Sequence, residues 1–156
     1  MAEYEFLTTW CVDAPIARVF DLLHDSSRYP EWWKGVRSVV LLEPGDADGV
    51  GEARRFTWRS VLPYELSFDS RVTRVERPYL IQGSATGELE GTGTWRLFEG
   101  RGTAAVYEWR VRTTRPWMNV LGPVARPVFA WNHDVVMRQG AAGLARELGA
   151  RLIARD

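Results

Sequence analysis

His133 is one of two histidines in the chain, and imidazole is the side chain best matched to moving a proton near neutral pH. It lies four residues before Met137 and seven before Gly140. On a helix that spacing sets them on one stripe, continued by Leu144 and Leu148. Tyr107 is the second candidate. A buried phenol must find a hydrogen-bond partner, which would be a ligand carbonyl that it polarises or a backbone group. Around this pair, Trp33, Phe56, Trp58, Phe68, Trp95, Trp109, Val128 and Met137 are the side chains expected to surround an apolar ligand. Two plainer readings compete: a solid aromatic core, and a histidine held by a neighbour or turned to solvent. A one-residue error in helix phase turns a side chain by about 100°, so the direction of His133 stays open at this stage.

Other chemistries lack their residues. Cys11 is the single cysteine, which excludes an internal disulfide and a cysteine-based zinc site and fits a reducing, cytoplasmic compartment. Two histidines do not make a multi-histidine metal site, so no metal is expected. Asp46-Ala47-Asp48-Gly49 has the start of a calcium loop without its later acidic positions. Lys34, the only lysine, is the one Schiff-base candidate, in an expected exposed turn. There is no nucleophile elbow, no P-loop and no dinucleotide fingerprint; Gly91-Thr92-Gly93 is not followed by a helix. No cofactor is expected. His24 closes a helix, where a cation favours the dipole, and reads as structural.

The elements that must position these residues follow from periodicity. Phe56 and Trp58 alternate with Arg55, Thr57 and Arg59. Leu66 and Phe68 alternate with Glu65, Ser67 and Asp69, Trp95 and Leu97 with Thr94 and Arg96, and Tyr107, Trp109 and Val111 with Glu108, Arg110 and Arg112. Period two with one wet face means antiparallel strands. Seven are expected: about Tyr4–Val12, Val36–Leu42, Gly51–Ser60, Tyr64–Val75, Tyr79–Ala85, Leu89–Phe98 and Thr103–Thr113. Asp13 and Pro15 mark a helix start, and Ile16, Val19, Phe20 and Leu23 give it an apolar face. A second short helix is expected to open at Ser27 and run through Tyr29–Trp33 until Gly35 stops it, its adjacent tryptophans pointing about 100° apart. One of them would then pack inward and the other sit near solvent; the alternative is that both are core anchors. Residues 117–150 read as helical, with a kink or break at Pro123 and Pro127. The main helix is expected from Pro127 to Leu148, with Val124, Val128, Trp131 and Val135 on a stripe adjoining that of His133. One helix about 10 Å wide cannot cover seven flat strands about 4.8 Å apart, so the sheet must curl around it. Gly140 and Gly143 each cost the helix about 1 kcal/mol against alanine. Close approach of the sheet, or room for a ligand, would offset that.

Length and charge set the outer bounds. At 156 residues the chain is expected to form one domain, 1–156. Twenty basic and twenty acidic residues cancel, which argues against a general nucleic-acid binder or an anionic-membrane binder. No signal peptide is read at the N-terminus, and no apolar run is long enough for stable membrane insertion. Oligomeric state is not legible.

Three stretches carry a family likeness: Asp13-Ala14-Pro15-Ile16-Ala17-Arg18-Val19-Phe20-Asp21-Leu22-Leu23 with Tyr29-Pro30-Glu31-Trp32; Arg71-Val72-Thr73-Arg74-Val75-Glu76-Arg77-Pro78 with Gly91-Thr92-Gly93-Thr94-Trp95; and His133-Asp134-Val135-Val136-Met137-Arg138-Gln139-Gly140 through Leu144. In these the chain resembles the Bet v 1/START-like (SRPBCC) superfamily, in its polyketide cyclase/dehydrase and lipid-transport branch. The resemblance implies an α+β helix-grip fold: a curved seven-stranded antiparallel sheet around a long C-terminal helix, with two short helices between strands one and two. It implies a single ligand-binding domain whose partner is a hydrophobic or polycyclic small molecule (lipid, quinone or polyketide-like), held between sheet and helix. It places the Trp32–Trp33 region near the cavity mouth, which suggests a gate, and implies no particular catalytic residue. Beside that expectation stand a polyketide cyclase or dehydratase working in the same pocket through His133 and Tyr107, and a protein-interaction module that binds no small molecule.

Overall fold

The computed structural model describes residues 3–63, 65–116 and 122–155. Tyr64 and the expected helical stretch at 117–121 lie outside the described residues. The order is β1 (Glu3–Val12), α1 (Ile16–His24), a 3-10 turn (Ser26–Arg28), α2 (Tyr29–Trp32), then β2 (Val36–Glu43), β3 (Ala53–Trp58), β4 (Leu66–Glu76), β5 (Leu80–Gly87), β6 (Leu89–Gly100) and β7 (Gly102–Thr113). A long helix, α3 (Gly122–Leu148), and a short strand, β8 (Leu152–Arg155), complete it. This is the α+β helix-grip architecture, with one strand more than expected.

The strands form one eight-stranded antiparallel sheet in the order β2-β3-β4-β5-β6-β7-β1-β8. Only the joints at β1 and β8 depart from sequence order. β1 returns beside β7 in an unbroken register from Glu3↔Arg112 to Val12↔Thr103. β8 covers the other edge of β1 after Gly149 takes a left-handed φ of 62° and turns the chain away from α3. At four residues, β8 is too short for periodicity to reveal. The outer face carries cross-strand ion pairs, Arg55–Asp69 at 2.8 Å, Arg112–Glu90 at 2.9 Å and Arg110–Glu5 at 3.2 Å. Exposed pairs of this kind contribute little stability.

α1 starts without the expected cap. Its N-cap is Pro15, and no side chain bonds the first turn; the buried Thr103 hydroxyl instead donates to the Ala14 carbonyl at 2.8 Å. Asp46 does form a turn, its Oδ1 accepting the Asp48 and Val50 amides at 2.9 Å each, which gives the incomplete calcium-like stretch a structural job. Among the described residues no cluster of ligating side chains suits a metal ion.

α3 is continuous through Pro127, and Pro123 falls in its first turn, where the missing N–H has no intrahelical partner to lose. Its two halves play different parts. Ala141, Leu144, Ala145 and Leu148, from its second half, are buried in a core with Trp10, Phe20, Leu23 and Trp32. A Cβ on Gly140 would lie 2.5 Å from Trp33 Cε2 and 2.6 Å from Trp10 Cη2, and one on Gly143 would overlap the Trp32 carbonyl. The glycines therefore answer to close approach, by tryptophans and the α2 backbone more than by the sheet. The first half of α3 faces a void.

Candidate functional site

A cavity of about 230 Å³ lies between the curled sheet and the first half of α3. Its position follows from the tryptophan plug beneath it. Trp10, fully buried on β1, meets Trp33 at 5.2 Å and Trp95 at 4.9 Å between ring centroids. These bulky rings jam one end of the interior. The sheet paired beyond them is poor in side chains, because Gly83 of β5 stands opposite Gly93 of β6. A Cβ at Gly93 would collide with the Tyr107 hydroxyl and touch Trp109 Cε3 at 3.0 Å. Glycine there makes the room that the two aromatic side chains occupy.

Trp33, Phe56, Trp58, Phe68, Trp95, Trp109, Met137, Tyr107 and His133 all line this cavity. The aromatic wall is continuous: Phe56 to Phe68 at 5.9 Å, Phe68 to Trp109 at 5.5 Å, Trp109 to Tyr107 at 5.9 Å, and Tyr107 to Trp95 at 4.5 Å. Offset and tilted ring contacts of this kind hold one another in place.

Two expectations need correction. Val128 does not face the cavity. It is 44% exposed, as are Val124 at 77% and Trp131 at 54%. Five residues before His133, Val128 is rotated about 140° from it on a helix of 3.6 residues per turn, and α3 presents Phe129, Asn132, His133, Val136 and Met137 to the void instead. Trp32 and Trp33 also do not split between core and solvent; the alternative, that both are core anchors, is what the structure shows. Both are buried, at 2% and 3% exposure. α2 ends at Trp32 and Trp33 turns to extended backbone (φ −107°, ψ 102°), so the 100° helical offset does not apply. Their rings stack at 5.4 Å, and Trp33 Nε1 donates to the Val136 carbonyl at 2.9 Å, tying α2 to α3.

His133 stacks flat on Phe6, with centroids 4.0 Å apart and an interplanar angle of 11°. Both its ring nitrogens are sealed from solvent without a hydrogen-bond partner in the described protein. Burial lowers its pKa to about 4, because desolvation disfavours the imidazolium. At neutral pH it is an uncharged ring with one N–H donor and one acceptor. Burial also pushes the Tyr107 phenol up, so it stays protonated and able to donate. Tyr29 is raised for the same reason, and its hydroxyl donates to the Leu23 carbonyl.

Several lining residues were not anticipated. Tyr4 and Phe129 enclose one margin, with Asn132 beside His133 on α3. On β3, Arg54 pairs with Glu52 at 2.6 Å, with side chains only 16% and 23% exposed. The signal was present: Glu52 and Arg54 share the parity of Phe56 and Trp58, and alternation therefore points them inward. His24 lines the cavity too, its Nε2 donating to the Asp48 carbonyl at 2.6 Å.

The fold has counterparts among solved structures. The chain is similar to BexL, a di-domain ARO/CYC of the BE-7585A biosynthetic pathway (24% identity, TM-score 0.76), covering 96% of this chain and 51% of that one. It therefore spans about half the length of that protein. It is also similar to the Zhui aromatase/cyclase from Streptomyces sp. R1128 (22% identity, TM-score 0.67; 94% and 92% covered). The ginseng major latex-like protein 151 from Panax ginseng follows at 8% identity and TM-score 0.59, with 85% and 99% covered. At these identities the likenesses speak for the fold. No curated protein matches the sequence. The family model described as polyketide cyclase / dehydrase and lipid transport matches residues 12–138, and the chain belongs to that family.

Proposed function

We propose that this protein binds a hydrophobic or polycyclic small molecule, of lipid, quinone or polyketide-like character, in the cavity between the sheet and α3. The observation that carries this reading is the wall itself. Ring side chains from β1, α2, β3, β4, β6, β7 and α3 converge on a void of about 230 Å³, where a packed core would have filled it. That volume lies just below the range of about 300–1,000 Å³ usual for ligand pockets and suits a small flat molecule. Each 100 Å² of apolar ligand surface withdrawn from water is worth about 2.5 kcal/mol, and a ligand burying about 300 Å² would gain about 7 kcal/mol before ordering costs. Native mass spectrometry of the purified protein, with extraction of anything bound, tests this. A co-purifying apolar compound at one per chain supports it. Absence of such a compound, together with no thermal shift from any aromatic ketone, quinone or fatty acid, would sink it.

A second reading has a specific observation in its favour. His133 and Tyr107 line the same void, one as a neutral base and the other as a protonated donor. In a cyclase or dehydratase of a poly-β-ketone, the pocket would hold the chain in a near-attack shape. His133 would take the proton from a carbon between two carbonyls while Tyr107 donates to the carbonyl oxygen on which charge builds. His133→Ala should then abolish turnover and leave the fold intact; unchanged turnover would remove His133 from the role. The interaction-module reading asked for an exposed patch at Trp32 or Trp33, and both are buried.

A further inference from the structure

Four cavity-lining residues leave polar atoms without partners; one, Trp58 Nε1, stands on β3, and the other three sit together on one margin of the void. The Tyr4 hydroxyl, Asn132 Oδ1 and both ring nitrogens of His133 are shut off from solvent and meet no hydrogen-bond partner among the described residues. Tyr4 is only 6% exposed. Tyr4 and Phe6 come from the start of β1, and Asn132 and His133 from a single turn of α3. The stacking of His133 on Phe6 at 4.0 Å, and the edge contact of Tyr4 with Phe129 at 5.8 Å, join the two elements at this point. Native interiors rarely leave buried polar groups unpaired, and a cluster that does so asks for an explanation.

We infer that Tyr4, Asn132 and His133 form a neutral hydrogen-bonding subsite for a hydroxyl or ketone oxygen carried on the rim of the ligand's ring system. The inference rests on the reading of the cavity as a ligand site. The donors and acceptors match: Tyr4 O–H and one His133 N–H can donate, and Asn132 Oδ1 and the other His133 nitrogen can accept. A phenol or enol hydroxyl satisfies an acceptor, and a ring ketone satisfies a donor. Among the described residues that line the cavity from β1 and α3, none carries a charge. Arg126 lies over the Tyr4 ring at 4.8 Å, but it is exposed and its Nη1 donates to the Glu3 carbonyl at 2.7 Å. The charged pair that does line the cavity is Arg54 on β3 and Glu52 just before it, with β4, β5, β6 and β7 between β3 and β1 in the sheet. The cavity thus has a neutral polar margin on β1 and α3 and an ion-paired margin on β3, which would orient a ligand that carries oxygen at one end.

The test compares naphthalene with 2-naphthol, which differ by one neutral hydroxyl, by calorimetric titration of the wild type, Tyr4→Phe, Asn132→Leu and the double variant. The expected result is that the wild type prefers 2-naphthol roughly tenfold or more, the value of a hydrogen bond in a desolvated site. The double variant should lose that preference and hold naphthalene as before. Melting temperature gives a second readout. Removing an unpartnered buried group should leave the unliganded variants as stable as the wild type or raise their melting temperature by a few degrees. Equal binding of the two compounds by the wild type, or a preference that survives the double variant, overturns the subsite and leaves the cavity standing. A lowered melting temperature in both single variants also overturns it, because it shows a structural partner for these groups. Failure of every compound to bind overturns both the subsite and the ligand-binding reading.

Discussion

Gly143→Ala should destabilise this protein although it improves the helix. A Cβ at that position would overlap the Trp32 carbonyl oxygen and come within 2.9 Å of its carbonyl carbon. Both are backbone atoms, so no rotamer change relieves the clash; α3 and α2 must separate. Alanine gains about 1 kcal/mol over glycine in helix propensity. Overpacking typically costs about 1–3 kcal/mol, and a contact with fixed backbone belongs at the upper end. The net loss works out at about 2 kcal/mol, or a melting temperature lower by about 4–8 °C for a chain of this size. Urea unfolding measures it. Ala142→Gly, at the exposed neighbouring position, calibrates propensity alone and should lose about 1 kcal/mol. If Gly143→Ala instead proves more stable than wild type by about 1 kcal/mol, the close approach of α3 to α2 is wrong, and with it the explanation of why the cavity stops at Trp33.

The remaining predictions concern the cavity. His133→Phe should flatten the acid dependence of stability. Its folded pKa of about 4 lies below the unfolded value near 6.5, so the unfolded chain takes up the proton first. The stabilisation is complete above pH 6.5, falls by about 1.4 kcal/mol per pH unit below it, and levels off under pH 4. Denaturant titrations at pH 7 and 5 would show a smaller loss in the variant than in the wild type. Gly93→Ala should weaken ligand binding while the protein stays folded, since the methyl displaces the Tyr107 hydroxyl and presses on Trp109; an unchanged titration curve would contradict that packing. Val128→Ser should leave affinity within error of wild type, because the side chain is exposed and off the lining stripe of α3. A tenfold loss would place it back in the site.

Much of this site was legible because strands write their faces with period two. Phe56, Trp58, Phe68, Trp95, Tyr107 and Trp109 could be assigned inward from their alternation with charge, and all line the cavity. Arg54 and Glu52 were readable by the same rule. A charged residue on an inward parity looks like a break in the pattern, whereas here each charge is answered by the other. The helix was harder. A stripe from His133 to Leu148 was correct in direction, but α3 changes role part-way along, from lining a void to packing on tryptophans. An apolar residue such as Val128 carries no mark of which of these it serves. The end of α2 at Trp32 was decisive for the tryptophan pair, and helix ends are set by backbone geometry that two adjacent identical side chains do not encode. β8 and its pairing with β1 depend on a long-range contact between the two termini of the described chain, beyond the reach of local pattern.

The central claim is that the aromatic interior is a ligand site, and fluorescence titration with a quinone tests it most directly. Trp33, Trp58, Trp95 and Trp109 all line the cavity, while Trp131 is 54% exposed and would report collisions from solvent. In a Trp131→Phe background, the account predicts saturable, one-to-one quenching by naphthoquinone or anthraquinone, reduced in Gly93→Ala. Quenching that rises linearly without saturation, and equally in both proteins, would mean that no ligand reaches these tryptophans and would contradict the account.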